Sequence, residues 1–247
     1  MSKYVEGYFN HVKEITDKVY KSQKENIDKA AELFAETIEG GGTIYAFGAS
    51  HAGILTEELF YRTGGLALIN PIFNPTLMLN TRPVTLTSQM ERLEGFGTEI
   101  LKSTNIKKGD VLLIHSVSGR NPVSIDMALE AKKLGAKVIV ISNIDYSKKV
   151  TSRHSSKKLL YETEDLVIDN CGDFEDSSTL IEGMEQKVGP TSTAVGAVIV
   201  NSIVISVVEK LLEKGITPPV FHSANVDGGD EFNTKLFEEY RSGIFYQ

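Results

Sequence analysis

The chain has 247 residues, 41% of them hydrophobic, and a formal net charge of −7. This length fits one large domain with helical additions, and the acidic balance argues against a broad surface for the nucleic-acid backbone. Cys171 is the only cysteine, so no intrachain disulfide can form, and a reducing, cytoplasmic setting is expected.

Residues 3–39 contain no proline and run into Gly40-Gly41-Gly42. Val12, Ile15 and Val19 recur at helical spacing, which predicts one long helix or two packed ones. Such a segment covers the domain or serves as a dimerisation arm. The stretch from Met1 to Asp17 lacks the basic start and apolar run of a secretory signal.

From residue 43 the pattern alternates. Strands are expected at Thr43–Phe47, Leu66–Ile69, Val111–His115, Val138–Ile141 and Leu166–Ile168. Leu112 to Ile114 and Val138 to Ile141 are continuously apolar, as parallel strands covered on both faces are. Helices are expected between them at His51–Thr63, Gln89–Thr104 and Pro122–Leu134. The alternation predicts an α/β fold, a doubly wound five-stranded parallel sheet flanked by helices with an N-terminal helical extension. Ligands of such sheets bind beyond the C-terminal ends of the strands. A strongly apolar helix is expected from Thr191 to Lys214, almost wholly buried in the core or at a subunit interface. No 18-residue apolar run is read in the chain, so no membrane span is expected. The tail from Ile216 carries Pro218-Pro219 and an acidic run from Asp227 to Glu231. The expected organisation is a single domain over 1–247, with N-terminal helices at 3–39, a sheet core at 40–214 and a tail at 215–247.

Two loops follow strands and open helices. In the first, Tyr45-Ala-Phe-Gly48-Ala49-Ser50-His51, Gly48 allows a tight turn, and Ser50 offers a hydroxyl and an N–H where a helix start leaves donors unpaired. An ordinary turn with Ser50 as helix cap explains the same residues. The spacing Gly48 to Gly53 is not that of a dinucleotide loop, and Ile54 stands where a Walker lysine would be. The second loop is His115-Ser116-Val117-Ser118-Gly119-Arg120-Asn121-Pro122, where Asn121-Pro122 is a helix-start signature. Two such anion-ready loops, each at the C-terminal end of a parallel strand and so at one edge of the sheet, predict one phosphate site. No cluster has metal-ligand spacing, and no metal or other cofactor is expected.

These residues resemble the sugar isomerase (SIS) phosphosugar-binding family, over roughly residues 30–214. Ser116-Val-Ser-Gly-Arg-Asn-Pro122 is similar to the Ser-x-Ser-Gly-x-Thr loop of glucosamine-6-phosphate synthase and the Ser-Gly-Arg-Thr-Pro run of N-acetylmuramic acid 6-phosphate etherase. Gly48-Ala-Ser-His51 is similar to a Gly-Gly-Ser-His run of phosphoheptose isomerase, and Gly189-Pro-Thr-Ser-Thr-Ala194 also fits the family. The resemblance implies a sugar phosphate held by Gly48, Ser50, Ser116, Ser118, Gly119 and Asn121, with Thr191, Ser192 and Thr193 closing the site. The apolar late helix and the N-terminal helices point to a homodimer or higher homo-oligomer.

For the chemistry the resemblance implies an aldose–ketose isomerase working through an enediol, with a Glu on the first-loop helix and a His on the late helix. Isomerisation needs a base at the carbon beside the carbonyl and a group that moves protons between the oxygens. Glu57 and Glu58 are the candidates on the first helix. Glu58 matches the family wording Glu-Glu-Leu, and Glu57 the helix face, since a residue turns the face by about 100°. The late-helix position reads Asn201-Ser202, so His51, His154 or His222 would have to substitute. Glu91 and Glu94 share one helix face, and Glu94 is a further catalytic candidate, although acids are common in a first helical turn. The alternatives are an amino-sugar-phosphate lyase or etherase and a non-catalytic phosphosugar sensor.

Overall fold

The computed structural model describes residues 2–247. Its strands are β1 (Ile44–Gly48), β2 (Ile69–Pro71), β3 (Val111–His115), β4 (Lys137–Ser142) and β5 (Leu166–Asp169). All pair in parallel, in the order β2-β1-β3-β4-β5. The helices are α1 (Lys3–Glu39), α2 (Ile54–Leu59), α3 (Leu86–Met90), α4 (Phe96–Lys102), α5 (Pro122–Leu134), α6 (Ile144–Ser147), α7 (Ser192–Glu213) and α8 (Gly229–Glu239). The architecture is the doubly wound α/β sheet flanked by helices that the alternating pattern predicts.

Side-chain alternation along each strand divides the core. Val111 and Leu113 of β3 join the cluster made with α1, α7 and the tail residues Phe221, Leu236 and Ile244. Leu112 and Ile114 join the opposite cluster, with Ile100 and Leu101 of α4 and Ile125, Met127 and Ala128 of α5. Both faces are covered, which is why the strand runs are continuously apolar.

The chain winds outward from β1 to β2, then returns past β1 to β3. The sheet therefore has its topological switch point between β1 and β3, where open α/β sheets bind ligands. Gly48 lies opposite His115 in the register, so the two loops leave the sheet side by side.

Several boundaries differ from the sequence expectations. The N-terminal segment is one continuous 37-residue helix. The apolar run Leu66–Ile69 enters the sheet only at Ile69. Before it, Leu66 bridges Val220 and the Ala67 amide bonds the Pro219 carbonyl, so the tail buries this run. The expected helix His51–Thr63 is a 3-10 turn, Ser50–Gly53, followed by α2, which ends where Phe60 becomes extended. The expected helix Gln89–Thr104 is broken into α3 and α4 by a turn in which Gly95 has φ of 86°.

The apolar α7 was expected to be almost wholly buried. Val195, Ile199, Ile203 and Val207 are, but Val198, Ile205 and Leu212 expose 46%, 69% and 60% of their surfaces along one stripe. Contrary to the expectation of no such run, α7 is long and apolar enough to cross a membrane, with a window of mean hydropathy 2.0. In this fold its buried side packs against α1 and α2.

Candidate functional site

In the first loop Gly48 is required by sterics. A Cβ there would lie 2.4 Å from the Ala52 carbonyl oxygen and 2.5 Å from its carbon. The loop closes through the Ala52 amide on the Ala49 carbonyl at 3.1 Å. Ser50 is not the helix cap that its residue type suggested. It has φ of 56°, and Ala49 occupies the cap position without a side-chain bond. The amides of Ser50 and His51, at the open end of the 3-10 turn, find no acceptor among the described residues. Beside them lies a cleft of about 240 Å³ lined by Gly48, Ser50, Ile54, Glu57, Asn74 and Asn80, among others.

The second loop is fastened through its carbonyls. Ser142 Oγ donates to the carbonyls of Ser116 and Val117 at 2.7 and 3.1 Å. Ser147 Oγ donates to that of Ser118 at 3.0 Å. The amides of Leu160 and Arg153 donate to those of Gly119 and Arg120 at 2.8 and 2.9 Å. Five consecutive carbonyls thus face the protein. The amides of Val117 through Asn121 and the hydroxyls of Ser116 and Ser118 have no partner among the described residues. Gly119, with φ of 60°, lets the backbone turn while meeting Leu160. Successive outward amides of this kind form an anion-binding concavity, and it sits at the start of the 13-residue α5.

Asn121 is at the cap position of α5, but its side chain does not cap the helix. Its Nδ2 donates to Glu91 Oε2 at 2.6 Å, and its Oδ1 accepts from Arg153 at 2.8 Å. Burial pushes the Glu91 carboxyl above the usual range, against the pull of Asn121, Arg92, Arg153 and His51. His51 itself is exposed.

The start of α7 differs from the expectation more sharply. Asp176 Oδ1 accepts from the amides of Thr191 and Ser192 at 3.2 and 2.8 Å, and Oδ2 accepts from Ser192 Oγ at 2.5 Å. The amides of Thr191 and Ser192 and the Ser192 hydroxyl are thus taken by this chain's own carboxylate, while the Thr191 hydroxyl is not. Thr193 is half-buried in the same turn. Asp176 and its neighbour Glu175 both have positive φ, 55° and 63°. His115, at the end of β3, is 3% exposed, and its Nδ1 meets the Ala52 carbonyl at 3.0 Å. Burial pushes the imidazole below the usual histidine range, outweighing Ala52 and the charge of Asp176. His115 Nε2, Thr191 Oγ1 and Asn170 Nδ2 are buried without a partner among the described residues.

The remaining candidates scatter. Glu58 pairs with Arg62 and accepts from Asn201 Nδ2 at 2.8 Å, so the two positions that the resemblance couples do touch, as carboxylate and amide. Glu57 is exposed at the rim of the cleft. Glu94 accepts from the Ser155 amide at 3.0 Å and from its hydroxyl, which hold its carboxyl below the usual range. His154 is buried between Asp126, at 3.1 Å, and Ser156, at 2.7 Å. His222 stacks on Phe232 at 3.7 Å, in a tail that bonds Gly64 and Gly65 ahead of β2. Those glycines lead into the N-terminal end of β2, and no hydrogen bond joins His222 to either loop among the described residues.

Sequence reasoning missed His115, Asn170, Asp176, Arg92, Arg120 and Arg153, and it left Glu91 without a role. His115 and Asn170 carried a readable signal: each is a polar residue at the end of an apolar strand. Asp176 carried none, because only the path of the loop brings it to α7.

A doubly wound sheet whose switch point carries two amide-lined loops defines a class of protein, and the comparisons agree with it. The chain belongs to the SIS domain family, whose profile matches residues 7–143. Over 243 residues it is 52% identical to a UPF0309 protein of Shouchella clausii, covering 98% of this chain and 99% of the relative. It is 51% identical over 243 residues to one of Oceanobacillus iheyensis, with the same coverage. Among solved structures it is similar to a phosphoheptose isomerase from Neisseria gonorrhoeae, with a TM-score of 0.53 and 16% identity over 82% of this chain and 94% of that one. It is also similar to a phosphoheptose isomerase from Francisella tularensis, with a TM-score of 0.52 and 15% identity over 82% and 95%. An Escherichia coli CFT073 protein in complex with a sugar phosphate gives 0.51 and 14% over 85% and 89%. These likenesses show the fold.

Proposed function

We propose that the chain binds a sugar phosphate at the edge between β1 and β3 and isomerises it between aldose and ketose forms. One observation carries the binding: loop two turns five carbonyls inward and leaves the amides of Val117–Asn121 free, opposite Ser50 and His51. Ser116 and Ser118 add hydroxyls. Gly48 and Gly119 allow the backbone to approach the ligand. The phosphate would anchor the substrate, so that binding remote from the reacting carbons positions them.

Glu57, at the cleft rim, is the base this reading assigns, and an enediol forms when it removes the proton beside the carbonyl. The Thr191 and Ser192 amides and the Ser192 hydroxyl enter only if the ligand displaces Asp176. The apolar stripe Val198, Ile205 and Leu212 supports pairing with a second copy. The names of the structural neighbours, two phosphoheptose isomerases and a protein in complex with a sugar phosphate, favour this substrate class.

A second reading is a phosphosugar sensor without catalysis. Asn201 favours it, since an amide bonded to Glu58 carries no titratable proton. A thermal-shift screen across sugar phosphates tests the binding, because a ligand of the native state raises its stability by mass action. Ser118→Ala weakens the best ligand by about 0.5–1.5 kcal/mol; unchanged calorimetric affinity removes the phosphate assignment. Solvent deuterium entering the sugar beside its carbonyl marks the isomerase, and saturable binding without exchange marks the sensor.

A further inference from the structure

Beyond loop two, the same edge carries three arginines that the phosphate grip does not use. Arg120 follows Gly119 in the loop, Arg153 lies after α6, and Arg92 follows α3. The Arg153 amide bonds the Arg120 carbonyl at 2.9 Å, which pins the two segments side by side. Asn121 joins Arg153 to Glu91, at 2.8 and 2.6 Å, and so ties the third segment to them.

The guanidinium groups make few hydrogen bonds to the protein, and those of Arg92 and Arg153 are open to solvent. Arg120 donates from Nε to the Thr151 carbonyl at 3.1 Å, and Arg153 donates from one terminal nitrogen to Asn121. Each has five N–H donors. No ion pair joins Arg92, Arg120 or Arg153 to a carboxylate among the described residues; the histidine–acid pairs nearby involve Glu94 and Asp126. The three cations also feel one another: burial first, then Arg120 and Arg92, push Arg153 below the usual arginine range. Glu91 is the carboxylate beside Arg92 and Arg153, and burial pushes its carboxyl above the usual range against their pull.

We infer that Arg92, Arg120 and Arg153 form a subsite for a second anionic group, a carboxylate or a second phosphate, on the sugar phosphate bound at the loops. The guanidinium fork matches both oxygen geometries. The inference rests on the phosphosugar reading, which supplies the first anchor. It narrows the ligand to sugar phosphates charged at both ends. A net charge of −7 on the chain repels a second anion at long range, so a preference for one requires a local cluster.

The test is calorimetry with two matched pairs: glucose 6-phosphate against 6-phosphogluconate, and fructose 6-phosphate against fructose 1,6-bisphosphate. The second anion tightens binding about ten- to hundredfold, as charge-assisted hydrogen bonds do. Arg153→Gln and Arg92→Gln, both at exposed positions, bring that ratio towards one, and Arg153→Lys keeps part of it. A preference within one pair alone names the anion, planar or tetrahedral. A ratio near one in the unaltered protein, or a ratio that both Gln variants leave intact, overturns the subsite while the phosphosugar reading stands. If neither member of either pair binds, both readings fall.

Discussion

Gly48→Ala probes the loop on which the phosphate reading depends. The added Cβ would sit 2.4 Å from Ala52 O, 2.5 Å from Ala52 C and 2.7 Å from Gly53 N, all inside the closest approach real Cβ atoms show. All three are backbone atoms, so no side chain can rotate away. The 3-10 turn must shift, and Ala52 is the residue whose carbonyl receives the buried His115 ring at 3.0 Å. Overpacking of this kind costs about 1–3 kcal/mol, and a buried hydrogen bond left broken costs about 1–3 kcal/mol more. Since relaxation relieves part of each, a net loss of about 2–4 kcal/mol is expected. Urea denaturation reads the loss, and phosphosugar affinity falls with it because the free amides of Ser50 and His51 move. A variant with wild-type unfolding midpoint and wild-type affinity would refute both the steric argument and the role of loop one.

Asp176→Ala removes the acceptor of three hydrogen bonds at the start of α7 and lowers stability by about 1–2 kcal/mol, as a lost cap does; an unchanged urea midpoint removes that role. His115 is held neutral by burial, so its folded-state pKa lies below the unfolded value near 6.5. The unfolded chain then binds the extra proton first, and this contribution to stability is present above about pH 6.5 and is lost as pH falls through the folded value. His115→Gln flattens that part of the stability–pH curve; an identical slope in both proteins counts against it. Glu57→Gln lowers turnover of the cognate sugar phosphate by at least about a hundredfold with little change in affinity, as loss of a general base does. Equal loss of binding and turnover places Glu57 in the grip instead.

The fold was legible where one physical signal dominated. β3 and α5 stand where the pattern puts them: a continuous apolar run suits only a strand covered on both faces, and Asn121-Pro122 starts a helix that Gly135, with φ of 84°, ends. The errors arose where tertiary contacts overrode local pattern. Leu66–Leu68 is apolar because the tail covers it, a partner more than 150 residues away in the chain and beyond the reach of periodicity. The helix expected at Gln89–Thr104 contains Gly95 and Gly97. Gly95 breaks it, and a Cβ at Gly97 would lie 2.1 Å from the Val123 carbonyl, so that glycine serves the contact between α4 and α5 rather than a turn.

The site divides along the same line. Residues contiguous in the chain, Gly48 to His51 and Ser116 to Asn121, were readable because a strand end and a helix start fix the direction of their amides. What assembles from separate segments was not. Asp176 reaches α7 through two residues at positive φ, Ser142, Ser147 and the Arg153 amide draw Arg120 beside Arg153, and Asn121 ties Glu91, the neighbour of Arg92, to them. Glu58 shows the limit of motif wording. Its Glu-Glu-Leu context resembles the family, yet Arg62 and Asn201 occupy it as two donors, and neither an arginine nor an amide exchanges a proton near neutral pH. Under the isomerase proposal the base is therefore a carboxylate with a free face rather than Glu58. Glu57 meets that requirement at the cleft rim, exposed and without a side-chain hydrogen bond or ion pair among the described residues, which is why the proposal assigns it the base.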